Sequence, residues 1–157
     1  MRVDFYLLAS IEQESLWLFA CRLLAKAYLQ NKYVFIYCNS QEEAAKLDNL
    51  LWTFADNSFI PHKIEDTQDN FPAPLIIGYP GKLPSKPAPI LLNLNIDIPI
   101  LYPRLERIME IVLNEKTNKA ICRKHFRQYR ACEYELHTHN IGQILTATEK
   151  ENARFIK

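Results

Sequence analysis

Glycine is scarce in this chain: Gly78, Gly81 and Gly142 are the only three among 157 residues. Loops that cradle a phosphate need glycine so that the backbone can turn tightly and bring its amides to the anion. The first turn that could serve, Leu8-Ala9-Ser10-Ile11-Glu12, has none, and Glu12 and Glu14 would oppose a phosphate at the helix start that follows. Net charge is nearly absent too, with 19 basic against 18 acidic residues. Attraction of the whole molecule to nucleic acid or membrane is therefore not implied, and any electrostatic steering is local. There is no basic-then-apolar leader, and the long apolar run from Ile11 to Leu29 is broken by Glu12, Gln13, Glu14, Arg22 and Lys26. Neither a signal peptide nor a membrane span is expected, and the expected location is cytoplasmic. Cys21, Cys38, Cys122 and Cys132 include no short metal-ligand pair. Free thiols in a reducing cytosol are expected in preference to a zinc site or disulfides.

Catalytic constellations are also missing. His137 and His139 would share a face of a strand and His62 is distant, but none has a carboxylate or cysteine at ligand spacing. All three are expected at the surface or near the terminus. No serine stands in a nucleophile elbow, and Asp48 reads as a solvated helix charge as readily as an acid. No catalytic residue, metal ligand or cofactor is assigned, and a non-enzymatic protein is expected.

What is present is a hydrophobic fraction of 48% in a chain the size of one ordinary domain. Val3 to Leu8 reads as a buried central strand. Ser10 and Gln13 read as a capping box for a helix in which Leu16, Phe19, Ala20, Leu23, Leu24, Ala27 and Tyr28 recur at helical spacing, ending near Asn31. Tyr33 to Tyr37 is a second buried strand, and Ser40 with Glu43 caps a second helix carrying Ala44, Leu47, Leu50 and Leu51. Strand, helix, strand, helix is the grammar of an open, mostly parallel sheet. The expectation is a single Rossmann-like α/β domain over residues 1–140, without the nucleotide-binding glycine loop, followed by a polar tail over 141–157 with no assigned role. Residues from about Thr146 onward are expected to fray.

After Trp52 the pattern is irregular, and no helix of useful length fits between Asp56 and Asp69. Leu75 to Gly78 and Ile90 to Leu94 are short apolar strands. The link between them carries Pro80, Pro84, Pro87 and Pro89, which excludes a helical crossover. Leu105 to Leu113 suits a helix by its leucines and charges and a strand by its alternation.

Lys116 to Arg130, KTNKAICRKHFRQYR, holds six Lys or Arg and no acid. On a helix capped near Asn118, residues Lys116, Lys119, Arg123, Arg127 and Arg130 form one cationic stripe, with Phe126 and Tyr129 as an apolar lip along its flank. Such a surface suits an anion attached to an apolar group. A solvated helix face and a nucleic-acid surface, with the stripe on phosphates and the aromatics stacking on bases, are the alternatives.

Several blocks resemble the chi subunit family of bacterial DNA polymerase III. They are Phe5-Tyr6-Leu7-Leu8, Lys32-Tyr33-Val34, the Leu47-Asp48 to Leu51-Trp52 pattern and Ser58-Phe59-Ile60-Pro61-His62. Ile90 to Leu94 and the Arg123, Phe126-Arg127, Tyr129-Arg130 pattern complete the set, in order over about residues 3–136. The resemblance implies a non-catalytic, Rossmann-like accessory protein of the clamp loader that touches DNA only indirectly and no membrane. It implies binding of the acidic, phenylalanine-ended tail of single-stranded-DNA-binding protein, at Val112, Lys119, Arg123, Phe126, Arg127, Tyr129 and Arg130. It implies a heterodimer with the psi subunit through Trp52 and Phe59, with Pro61 nearby, and it favours a strand over about Arg107 to Leu113. Two departures stand out: Glu133 occupies a place where the family usually carries glycine, and the chain runs past the family's usual end.

Overall fold

A computed structural model describes residues 1–55, 59–65, 73–84, 88–101 and 103–142. Among the described residues seven strands form one sheet: β1 (Arg2–Leu8), β2 (Val34–Tyr37), β3 (His62–Ile64), β4 (Leu75–Gly78), β5 (Ile90–Asn93), β6 (Arg107–Val112) and β7 (Glu135–Gly142). Their order is β3-β4-β2-β5-β6-β1-β7, and every pairing is parallel. The helices among the described residues are α1 (Gln13–Leu29), α2 (Gln41–Thr53) and α3 (Lys116–Ala131). The Rossmann-like α/β expectation holds, and the ambiguous segment before the basic helix is a strand.

Strand alternation sorts the core into two layers. Tyr6, Val34, Ile36, Leu92, Met109 and Ile111 face α1 and α2, while Phe5, Phe35, Tyr37, Leu91, Ile108 and Val112 face α3. The first layer is covered by two helices; the second has α3 and the partly buried loop residues Ile98 and Leu101. That asymmetry follows from the links, because β5 is joined to β6 by a loop built from asparagine side chains. Asn93 Oδ1 accepts from the Asn95 amide, Asn95 Oδ1 from the Asp97 amide and Asn39 Oδ1 from the Ile96 amide.

The helix ends differ in part from their expected form. Ser40 caps α2 by accepting from the Glu43 amide at 3.2 Å, and the Glu43 carboxylate reaches back to the Asn39 amide at 2.9 Å. Helix α1 instead begins after Glu12 with no side-chain cap. The Ser10 hydroxyl is spent one turn earlier, accepting from the Glu12 amide and the Ser15 hydroxyl. Helix α3 is capped by Glu115, whose carboxylate accepts from the Thr117 and Asn118 amides at 2.9 Å. Asn118, the expected cap, accepts from the Leu113 amide and ties the helix to the end of β6.

Both α1 and α3 end in a left-handed residue, Asn31 at φ 59° and Glu133 at φ 62°. At α3 the Tyr134 amide donates to the Tyr129 carbonyl and the Glu133 amide to the Arg130 carbonyl, while the Tyr129 and Tyr134 rings lie 6.4 Å apart. This is the Schellman arrangement, which favours glycine at the left-handed position and tolerates asparagine. Glu133 therefore occupies the site at a steric cost.

Strand β1 lies between β6 and β7, and a buried carboxylate ties the three together. Asp4 accepts from Arg2 Nε at 3.0 Å and Arg107 Nε at 2.7 Å, and lies 2.7 Å from His139 Nε2. Burial pushes this carboxyl up, but the bonds from Arg2, His139 and Arg107 outweigh it and hold the pKa at about 2. His139 also stacks on Tyr6 at 5.0 Å, so it is built into the fold and not left at a frayed end. The strand that carries it runs to Gly142; residues 143–157, including those expected to fray, lie outside the described residues.

Candidate peptide groove and aromatic surface

The seam between α3 and the β6-β1-β7 end of the sheet is incompletely filled. It leaves a largely apolar groove of about 260 Å³ lined by Phe5 and Leu7 of β1, Val112 of β6 and Thr138 of β7, with Lys119, Cys122, Arg123 and Phe126 on α3. Phe126 is half-buried, its ring centred 5.4 Å from that of Phe5. Lys119 is half-buried and Arg123 exposed, so two cations border an apolar floor. Burial pushes the Cys122 thiol up to about 12, and it lies in this floor as an uncharged group at neutral pH.

Four of the seven residues implied for the tail site, Val112, Lys119, Arg123 and Phe126, line the groove; Arg127, Tyr129 and Arg130 do not. Arg127 and Arg130 are exposed farther along α3. Tyr129 corrects the expected apolar lip: it is 1% exposed, with its hydroxyl donating to Glu110 at 2.6 Å. Three residues on from Phe126 is about 60° round a helix of 3.6 residues per turn, enough to carry Tyr129 from the margin of the stripe into the buried face. Phe5, Leu7, Cys122 and Thr138 were not anticipated. Their signal was the alternation along β1 and the turn of spacing between Cys122 and Phe126.

The second set of residues also lies at the surface. Trp52 at the end of α2 is 42% exposed and Phe59 74% exposed, with ring centroids 5.4 Å apart, and Pro61 is half-buried. His62 supports this pair from beneath. Contrary to expectation it is buried, with Nδ1 2.6 Å from the Ile60 carbonyl oxygen, Nε2 3.1 Å from that of Asp48, and its ring 4.2 Å from Trp52.

A cleft of about 140 Å³ at the carboxyl ends of the strands occupies the place where such sheets commonly bind nucleotides. It is lined by Glu43, Glu110 and Glu115 together with Asn39, Asn93, Asn95 and Asn118. The carboxylates oppose a phosphate, and these asparagines already bond to their own surroundings.

Sheet, groove and missing phosphate loop define a Rossmann-like α/β protein with two exposed surfaces that combine apolar and polar groups. Comparison with known proteins identifies which. The sequence model of the family described as DNA polymerase III chi subunit, HolC, matches residues 1–137. The chain is 33% identical over 143 residues to DNA polymerase III subunit chi of Pseudomonas aeruginosa, covering 91% of this chain and 99% of that protein. It is 30% identical over 123 residues to the subunit chi of Haemophilus influenzae, covering 78% and 85% respectively. With the subunit chi of Escherichia coli the identity is 27% over 131 residues, covering 83% and 86%. The chain belongs to the DNA polymerase III chi subunit family, a family of replication accessory subunits.

Proposed function

We propose that this chain is a non-catalytic, cytoplasmic accessory subunit that holds the acidic, phenylalanine-ended tail of single-stranded-DNA-binding protein in the groove under α3. Through Trp52 and Phe59 it joins a psi subunit, which links the coated template to the clamp loader. The observation that carries the reading is the pairing of an apolar slot with Lys119 and Arg123 at its border. A phenyl ring fills the slot between Phe5 and Phe126 while the terminal carboxylate meets the cations. Arg127 and Arg130 attract the acidic residues upstream, which gives the interaction its salt dependence. Charge-assisted contacts of roughly 1.5–3 kcal/mol each, with one buried ring, yield about micromolar affinity after association costs.

Calorimetry with a synthetic acidic peptide ending in phenylalanine, at two salt concentrations, tests the reading. Arg123→Ala is expected to weaken binding by about 10- to 150-fold, the loss of one charge-assisted contact. Phe126→Ala should weaken it with little change in salt dependence. Trp52→Ala should abolish association with psi and leave peptide binding intact. If single-stranded DNA alone binds as tightly as the peptide, and Arg123→Ala weakens both equally, the chain is a nucleic-acid-binding module instead.

A further inference from the structure

Beneath α3 lies a polar cluster that does not itself touch the groove. His125, 1% exposed, places Nδ1 3.0 Å from each carboxylate oxygen of Glu110 on β6, and Nε2 2.7 Å from the Ile96 carbonyl oxygen. Glu110 Oε2 also accepts from the Tyr129 hydroxyl at 2.6 Å and from the Asn93 side-chain amide at 3.1 Å. A neutral imidazole carries one N–H, and a carbonyl oxygen can only accept. The Ile96 carbonyl therefore takes a hydrogen on Nε2, and a second hydrogen on Nδ1 lets the ring donate to Glu110 as well.

We propose that His125 is a positioning residue for the peptide groove: doubly protonated, it pins the middle of α3 to β6 and to the loop after β5. It thereby sets how Cys122, Arg123 and Phe126 stand over β1. The inference rests on the peptide-binding reading and adds a proton to it. His125 lies three residues after Cys122 and one before Phe126, so a loosened anchor shifts both of these α3 side chains against the strand side of the groove together. Facing His125 are Glu110 from β6, Asp97 from the loop after β5 and Tyr129 from its own helix; β5 presents Asn93 and β1 presents Phe5 to this face.

Burial pushes the imidazolium down, but the bond and charge of Glu110, the Ile96 carbonyl and Asp97 outweigh it and hold the group above its ordinary 6.5. A raised value in the folded state means that the anchor is complete below pH 6.5 and is lost as the pH climbs through the raised value. Burial moves Tyr129 and Cys122 upward, the thiol to about 12, so both titrate beyond that window.

The experiment is calorimetry with the acidic, phenylalanine-ended peptide from pH 6 to 9, alongside nuclear magnetic resonance of the His125 ring nitrogens in the free protein. The expected result is a ring protonated at both nitrogens at pH 6. Peptide affinity should fall by about two- to tenfold as that ring titrates, in line with one lost hydrogen bond. His125→Gln should bind at the weaker, high-pH level throughout, and His125→Arg, which keeps a cation opposite Glu110, should bind without a step. A singly protonated ring at pH 6, an affinity flat with pH, or a step that survives in His125→Gln each overturns the inference alone. Absence of peptide binding at every pH overturns the underlying reading and this inference with it.

Discussion

Replacing Glu133 with glycine should stabilise the protein, although it removes a side chain. The residue sits at φ 62°, closing the Schellman turn at the end of α3. A left-handed conformation costs an L-residue roughly 1–2 kcal/mol, because Cβ crowds the following carbonyl. Glycine escapes that cost but loses about 0.4–1 kcal/mol through its freer unfolded chain. The expected net gain is therefore about 0.5–1 kcal/mol, read as a rise of roughly 0.3–0.5 M in the urea midpoint at unchanged slope for a slope near 2 kcal/mol/M. Glu133→Ala supplies the control: it removes the same acid and keeps Cβ, so it should gain nothing. Asn31→Gly supplies a second, since asparagine already tolerates the conformation and the change should stay within about 0.3 kcal/mol. Stabilisation by Glu133→Ala equal to that by Glu133→Gly would refute the backbone argument and point to charge.

Two further outcomes are expected. Asp4 has a depressed pKa of about 2 against an ordinary 3.8, so its share of stability is present above pH 3.8 and is lost as the pH falls through about 2. Urea midpoints between pH 5 and pH 2 should show this loss, on the order of 2 kcal/mol, and Asp4→Asn should be destabilised already at pH 5 with a flatter acid limb. Gly78→Ala would place a methyl against the Lys82 carbonyl oxygen and the Phe35 ring, so a thermal melt should report roughly 1–3 kcal/mol of overpacking.

Periodicity made most of the sheet legible. β1, β2, β4 and β5 are apolar runs bounded by turn residues, and α1 and α2 repeat at helical spacing. Strand β3 escaped because its three residues, His62 to Ile64, are too few to show a period, and its one buried side chain is a histidine. β6 stayed ambiguous because Glu110 looks like a solvated charge, whereas it is buried as the common partner of His125, Tyr129 and Asn93. Family resemblance, not alternation, decided that segment. The cationic side of α3 was legible from spacing, but its phase was not. His125 stands among Arg123, Lys124 and Arg127, and only its offset from Cys122 and Tyr129 betrays that it points inward.

The place of β1 in the sheet has a consequence for how the protein is made. Arg2 pairs with both Arg107 and Glu135, so β1 leaves the ribosome more than a hundred residues ahead of the two strands that close its hydrogen bonds. At about 5–20 residues per second that wait lasts on the order of ten seconds, during which an apolar strand has no permanent neighbour on either side. The groove shares this schedule, because Phe5, Val112, Arg123 and Thr138 come from both extremes of the chain. A copy truncated before β7 therefore lacks Thr138 and the edge of the groove that β7 supplies.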